Sequence, residues 1–356
     1  MKSLLKIGLA LFCLFALFGC GSENATSSTD DSNNNNNQNS GGEEVFEWTL
    51  GTIHYEPSSL PEFNSYGYAL EKFVELVDEK TNGRVKITPF WASSIGGDVE
   101  MFQRVMAGDL DIHYGMPMAN ADPRLGVWEL PYLVQDLDHA KEIVNNPESE
   151  FFKLSQQWYK DNNIVLLASG LGSIRGIVNG GHQVITPEDA TNLKLRVTES
   201  PIATTFWESI SIATPLPASE IYMALETKAI DGLEFHASGV VGQQYYNIVD
   251  YYTDINWRIN FAANIHVSAS SWEKLPDDLK TAVEEAAWEA MYYHAELEID
   301  DYNKAIDELK NKGMQVYELS DEERQEWIDY ARSLDEKLKS IIGEDVFNQV
   351  MEIVKR

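Results

Sequence analysis

Apolar and polar residues follow two different periods along most of the chain. Runs that alternate with period two, such as RVKITPF at 84–90, predict strands. Apolar residues at helical spacing predict amphipathic helices between them, one from Ser58 or Ser59 to just before Gly83 and another over about 98–107. Strands that alternate with helices indicate an α/β fold with a largely parallel sheet.

The second half of the chain repeats this pattern. Strand-like segments occupy 163–170, 173–179, 193–197 and 229–235, with a helix near 218–228. Setting Asp111 opposite Asp231 aligns the apolar positions of two helix-to-strand units. This match indicates either two lobes of similar design or only the period that all amphipathic helices share.

A long helical segment follows near the C-terminal end. Pro276 lies near its first turn, acidic residues come next, and helical character continues for about 35 residues up to Gly313. A helix of this length is expected to reach from one lobe to the other. The residues SDEE at 320–323 predict a capping box for a final amphipathic helix.

The first twenty residues predict export. Lys2 and Lys6 precede an apolar run that ends in LFGC at Cys20, which is typical of a signal peptide and resembles the processing box of bacterial lipoproteins. We therefore expect a lipoprotein signal peptide at 1–20 and lipidation of Cys20, with an uncleaved anchor helix or plain secretion as alternatives. Residues 21–44 are polar and low in complexity, which predicts a disordered tether.

Charge and cysteine content narrow the range of partners. The sequence contains 57 acidic and 27 Lys or Arg residues, a formal net charge of −30, so binding to nucleic acid is not expected. Cys13 and Cys20 are its two cysteines. Removal of the signal peptide and acylation of Cys20 would leave no thiol for a disulfide, a metal site or a nucleophile.

The sequence contains no familiar catalytic motif. It has no G-x-S-x-G, no glycine-rich phosphate loop, no H-E-x-x-H and no C-x-x-C, and no two of its seven histidines are four residues apart. We therefore predict a protein that is not an enzyme. A secreted hydrolase that acts on glycans or esters through a carboxylate pair or a serine is the alternative.

Two arginines on predicted strands suggest a site for an anion. In LKLRVTES, Lys194, Arg196 and Thr198 share the polar face of a strand, and Arg175 lies in SIRGIV on another. A guanidinium group binds a carboxylate through two parallel hydrogen bonds, which a lysine does not reproduce. The alternative is that each arginine is a solvated or edge residue.

Several segments together resemble a known family. They are FVELVDEKTNGRVKITPF, QRVMAGDLDIHYG, WELPYLVQDLDHA, SIRGIV, LKLRVTESP, IDGLEF and SSWEKLPDDLKTAVEEAA. In order and spacing they resemble the solute-binding proteins of tripartite ATP-independent periplasmic (TRAP) transporters, of the dicarboxylate-binding family. The resemblance implies a two-lobe periplasmic-binding-protein fold, class II-like, with a long helix spanning both lobes, which closes over a small organic acid and delivers it to a membrane permease.

The resemblance also assigns roles to residues. It implies that Arg196 clamps the ligand carboxylate and that Arg175 matches the family's second arginine. Phe235 stands where the family often has asparagine and His236 where proline is common. This is similar to a branch in which some members bind keto or hydroxy acids with the help of a cation, here calcium or sodium. Glu234 is then either an acceptor for a ligand hydroxyl or cation, or a surface carboxylate.

Three further residues are expected to line the cleft because they follow predicted strands. They are Trp91 after the second strand, with core packing as the alternative, and Tyr55 and Glu56 after the first. No metal site is firmly predicted.

The predictions combine into one arrangement. Lobe I comprises 45–172 plus about 262–300, and lobe II comprises 173–261 plus about 301–356. The protein is expected to be exported and lipid-anchored to the cell membrane, facing the periplasm or the extracellular side. A sensor that reports ligand occupancy to a membrane kinase is an alternative function.

Overall fold

The computed structural model describes residues 44–355, so the predicted signal peptide and the predicted tether up to residue 43 lie outside the described residues. The strands are β1 Phe46–Thr52, β2 Val85–Phe90, β3 Ile112–Gly115, β4 Ile164–Ser169, β5 Ser173–Asn179, β6 Lys194–Val197, β7 Ile212–Pro215, β8 Gly232–Phe235, β9 Tyr251–Asn260, β10 Asn264–Ser268 and β11 Gln315–Glu318. The helices are α1 Ser65–Lys80, α2 Asp98–Ala107, α3 Leu137–Ile143, α4 Glu150–Asp161, α5 Pro201–Glu208, α6 Ile221–Glu226, α7 Ala237–Gly242, α8 Ala269–Trp272, α9 Asp277–Asn311, α10 Asp321–Ser333, α11 Asp335–Ile342 and α12 Glu344–Val354.

The strands form two sheets of the same design. One sheet has the order β2-β1-β3-β10-β4 and the other β7-β6-β8-β5-β9-β11. In each, the first three strands are parallel, and the fourth, β10 or β5, is antiparallel to both of its neighbours. The predicted two-lobe α/β fold is therefore confirmed, although each sheet is mixed because a strand returning from the other lobe inserts into it.

The alignment of Asp111 with Asp231 corresponds to a structural repeat. The Asp111 carboxylate accepts a hydrogen bond from the Thr49 backbone N–H on β1, and the Asp231 carboxylate accepts one from the Lys194 N–H on β6. Each aspartate comes just before the strand, β3 or β8, that pairs in parallel with the strand it binds. The two helix-to-strand units thus occupy equivalent places in the two lobes.

Three connections join the lobes ahead of the C-terminal helices. The chain crosses at 170–172 between β4 and β5 and at 261–263 between β9 and β10, and Gly170 N–H donates to the Ala263 carbonyl at 2.8 Å. The third connection is α9, whose 35 residues give a length of about 52 Å. It packs on α1 and β4 of the first lobe and on α7 and β11 of the second. The predicted spanning helix is present.

Two predicted helices differ from the structure. The first begins at Ser65 because Phe63 adopts a left-handed conformation (φ 54°) and Asn64 caps the helix by accepting from the Gly67 N–H. The final helix starts with the predicted capping box at Ser320 but is divided into α10, α11 and α12.

The C-terminal helices contact both lobes. Helix α10 packs on β9, whereas α12 packs on α4 and on the 3₁₀ helix Pro123–Glu129. The apolar face of α12, with Phe347, Val350 and Val354, is buried. Residues 301–355 are therefore shared between the lobes rather than confined to lobe II, because α12 packs on elements of lobe I.

Candidate ligand-binding site

Five charged side chains are buried together where β5, β6, β8 and β9 face the 3₁₀ helix Pro123–Glu129. They are Arg175, Arg196, Arg258, Glu129 and Glu234, each at most 4% exposed. Buried charges are costly unless they are paired. Their pairing therefore decides which of them is free to bind a ligand.

Glu234 on β8 holds two of the arginines. One carboxylate oxygen lies 3.1 Å from Arg175 Nη1, and the other lies 3.4 Å from Arg258 Nη2 and accepts from the Thr198 N–H at 3.2 Å. The side chain is fully buried. Glu234 is thus a buried partner of two arginines and not a surface carboxylate.

Arg258 and Glu129 are the two residues of this cluster that the sequence did not predict. Thr253 and Arg258 of β9 are five residues apart, whereas the β5 residues that pair with them are only two apart, so β9 bulges between these two positions. Asn256 lies in the bulge with a positive φ of 51°. Arg258 Nη1 donates to Glu129 at 2.8 Å and Nη2 donates to Thr198 Oγ1 at 2.8 Å. An arginine in a strand-like run, TDINWRIN, was the available signal, as for Arg175 and Arg196.

Arg196 on β6 differs from the other two arginines because it has no carboxylate partner. Its Nε donates to the Leu216 carbonyl at 2.8 Å, and no carboxylate in residues 44–355 lies within 4.0 Å of it. Burial lowers its pKa to about 10, although Glu234 opposes that shift. The polar face predicted for this strand is exposed only at Lys194, whereas Arg196 and Thr198 turn into the space between the lobes.

The cluster therefore carries an unbalanced positive charge. Three arginines face two glutamates, Glu129 and Glu234, and the remaining charge is at Arg196. Arg175 is fixed by Glu234 and lies over the Phe235 ring at 5.2 Å, and neither Arg175 nor Phe235 lines the cleft at Arg196. The pKa of Arg175 is also lowered by burial.

The cleft in front of Arg196 has an acidic wall on the first lobe. Asp98, the first residue of α2, lines the cleft together with Arg196 and Thr198. Its carboxylate lies 2.6 Å from His113 Nε2 and accepts weakly from the Met116 N–H at 3.4 Å. Asn120 of the first lobe donates to the Glu199 carbonyl of the second at 2.7 Å, so the lobes touch at this cleft.

The three residues predicted from strand ends lie in different places. Tyr55 is exposed and lines an open surface groove together with Tyr222 and Tyr245 of the other lobe. Trp91 packs partly buried against the core, which is the alternative weighed for it, and Glu56 is exposed. Neither Trp91 nor Glu56 lines the cleft at Arg196. Strand ends predict the edge of a cleft, but not which side chains turn inward.

Within residues 44–355, no group of three or more His, Cys, Asp or Glu side chains is arranged to hold a metal ion. His113 and His266 are in mutual contact, with their Nδ1 atoms 3.1 Å apart, and both are fully buried in the first sheet. The same part of the chain contains no helix with the length and apolarity that crossing a membrane requires.

Two lobes around a cleft, with an unpaired arginine inside it, define a solute-binding protein. The chain matches the model of the family described as bacterial extracellular solute-binding protein, family 7 (DctP), over residues 58–340. It belongs to this family. The predicted resemblance to solute-binding proteins of TRAP transporters is thereby confirmed at the level of the family. The family also confirms the predicted location outside the cytoplasm and the prediction that the protein is not an enzyme.

Individual relatives are distant. A solute-binding protein of Chromohalobacter salexigens is 28% identical over 277 residues, 77% of this chain and 80% of that protein. The C4-dicarboxylate-binding protein DctB of Bacillus subtilis is 26% identical over 300 residues, 81% of this chain and 83% of that one. The solved structure of the sugar acid binding protein DctPAm from Advenella mimigardefordensis with galactonate has a TM-score of 0.78 at 24% identity and covers 88% of this chain and 98% of its own.

Proposed function

We propose that this protein captures a small organic acid between its lobes, with the ligand carboxylate on Arg196, and delivers it to a TRAP membrane permease. The observation that carries this proposal is the unpaired, buried guanidinium of Arg196 at the cleft. A ligand carboxylate would complete the pairing of the buried cluster. Glu129 and Glu234 cannot do so because they already hold Arg258 and Arg175.

The cleft favours a ligand with one carboxylate and several hydroxyl groups. Among the residues that line this cleft Arg196 is the arginine without a carboxylate partner, and Asp98 in the same cleft presents a carboxylate that accepts hydrogen bonds and repels a second acid group. Ligands in the structures of similar proteins include galactonate, bound to DctPAm, and succinate, bound to a protein of Sulfurospirillum deleyianum. For this chain we propose a hydroxylated monocarboxylate of the first kind.

A thermal-shift screen of organic acids tests this function. We expect hydroxylated monocarboxylates such as galactonate to raise the melting temperature more than succinate does, because a ligand that binds only the folded state adds about 2.7 kcal/mol at a hundredfold excess over its Kd. Parallel screens with calcium and with sodium test whether a cation assists. The proposal fails if no carboxylate raises the melting temperature while neutral sugars do.

The variant Asp98→Asn separates the choice of ligand from the binding of the carboxylate. It should weaken galactonate binding about tenfold, since a hydrogen bond to a charged acceptor contributes about 1.5–3 kcal/mol. Binding of succinate should improve or stay unchanged because a like charge is removed. An equal loss for both acids in calorimetric titrations would contradict the role of Asp98.

We also propose that the exported protein is held on the membrane surface by lipid on Cys20, the residue that ends the apolar run. An acyl chain together with a polar tether would keep the binding lobes near a permease. In cell fractionation, wild type should sediment with membranes and Cys20→Ser should not. Detection of both in the soluble fraction would overturn the lipid anchor without affecting the binding function.

A further inference from the structure

A second cavity, of about 810 Å³, lies beside the connections between the lobes. No residue that lines it also lines the cleft at Arg196. Its apolar residues include Ile174 on β5, Ile259 on β9, Ile299 on α9 and Ile328 on α10. Small-molecule sites commonly have this size and this largely apolar lining. We call it the rear cavity.

Basic side chains surround the rear cavity, although the whole protein is strongly acidic. Arg332 and Lys355 are exposed and have no carboxylate partner within 4.0 Å in the described part of the chain. Arg324 donates to the backbone carbonyls of Ile255 at 3.3 Å and Asp254 at 3.5 Å, and the Asp254 carboxylate is near enough to interact with its charge although no carboxylate in residues 44–355 lies within 4.0 Å of it. A cluster of unpaired cations beside an apolar surface favours an anion that has an apolar body.

Two acidic residues line the rear cavity beside the basic residues Arg324, Arg332 and Lys355, so the lining keeps a net positive charge. Asp136 caps α3 by accepting from the His139 N–H. The Asp138 side chain is almost fully exposed and lies 4.0 Å from Lys141. Both carboxylates therefore have partners on α3 itself.

Two residues that line the rear cavity have buried polar atoms without a hydrogen-bond partner in the described part of the chain. Arg258 separates the two cavities, since it lines the rear cavity while its terminal nitrogens contact Glu129 and Thr198, which line the cleft. Among the described residues its Nε has no hydrogen-bond partner, and neither has Oδ1 of Asn256, which also lines the rear cavity. Buried polar atoms normally have partners, so their absence here marks a place where a ligand or water completes the structure.

We propose that the rear cavity is a second binding site, for an amphiphilic anion: a carboxylate or sulfonate with an aliphatic or aromatic body. The acid group would lie beside Arg324, Arg332 and Lys355, and the apolar body would lie against the isoleucines. This ligand class differs from the hydrophilic acid that we propose for the cleft, where the charged residues Arg196 and Asp98 face the ligand. The site is independent of the proposed function because its lining residues are different.

Titration with the fluorescent sulfonate 1-anilinonaphthalene-8-sulfonate tests the site. We expect saturable binding of one dye per wild-type chain, displaced by decanoate. Arg332→Gln should weaken dye binding about three- to tenfold, because one rim charge is lost. Ile328→Trp should weaken it more than tenfold by filling the cavity. Lys337→Gln, an exposed α11 residue outside the cavity, should stay within twofold of wild type.

Two controls keep the result specific. Because the dye also binds loosely packed proteins, each variant must retain the melting temperature of wild type to within a few degrees. Arg196→Ala should bind the dye as wild type does, whereas a loss there would place the dye in the cleft and overturn the proposal. Unsaturable binding, or equal affinity in wild type, Arg332→Gln and Ile328→Trp, would also overturn it.

Discussion

Replacing Arg196 by alanine is expected to reduce affinity for the organic acid roughly 30-fold to several thousandfold, which corresponds to about 2–5 kcal/mol. The ligand carboxylate would lose its one free guanidinium in a cleft that contains acidic Asp98. Arg196→Lys should recover only part of the affinity because an ammonium group cannot form two parallel bonds to a carboxylate. Isothermal titration with the strongest acid from the thermal-shift screen measures both effects.

The same variant should leave the unliganded protein about as stable as wild type. Arg196 has no carboxylate partner, so its removal also removes the cost of burying an unpaired charge, and this offsets the lost packing and the bond to Leu216. Lys194→Ala is the matched control, since Lys194 lies on the same strand but is exposed. Its Kd should match wild type. An unchanged Kd in Arg196→Ala would contradict the proposed carboxylate site.

Replacing Glu234 by glutamine should greatly reduce folding stability, in contrast to the nearly unchanged stability expected for Arg196→Ala. The change leaves Arg175 and Arg258 with less compensating charge, and the new amide group directs N–H donors toward existing donors. Removal of one partner from a buried ion pair typically costs about 3–5 kcal/mol. For a chain of this size, that corresponds to a fall of roughly 5–15 °C in melting temperature.

The control for Glu234→Gln is Glu199→Gln. Glu199 is exposed at the edge of the cleft, and no ion pair of its carboxylate is present within 4.0 Å in residues 44–355. Its replacement should change the free energy of unfolding by less than about 0.5 kcal/mol. Differential scanning calorimetry compares the two variants. Equal melting temperatures would mean that Glu234 does not hold the buried arginines in place.

Period and capping signals predicted much of the fold. Residues 98–107 became α2, the segment between Pro276 and Gly313 became α9, and the capping box at Ser320 starts α10. These features depend on residues close together in the sequence. The insertion of β5 and β10 into sheets of parallel strands depends on pairing between distant segments, which local periodicity does not report.

The candidate site was predictable only in part because it too depends on contacts between distant segments. Alternation placed Arg196 and Arg175 on strands, and the structure brings them into one cluster. Arg258 was missed because a bulge interrupts the regular pattern of β9, and Glu129 because it lies on a 3₁₀ helix without periodicity. Arg196 remains free because Glu234 on β8 pairs with Arg175 on β5 and Arg258 on β9. These contacts join strands that are distant in the sequence.

The two adjacent strand connections and the continuous helix α9 limit how the lobes can move. Sliding one lobe past the other would stretch these links and the C-terminal helices that contact both lobes, whereas rotation about the line of 170–172 and 261–263 requires only small backbone changes there and a bend in α9. We therefore expect the lobes to move mainly along a single coordinate. One distance between two labels, one on each lobe, is then enough to describe the conformation of the whole protein.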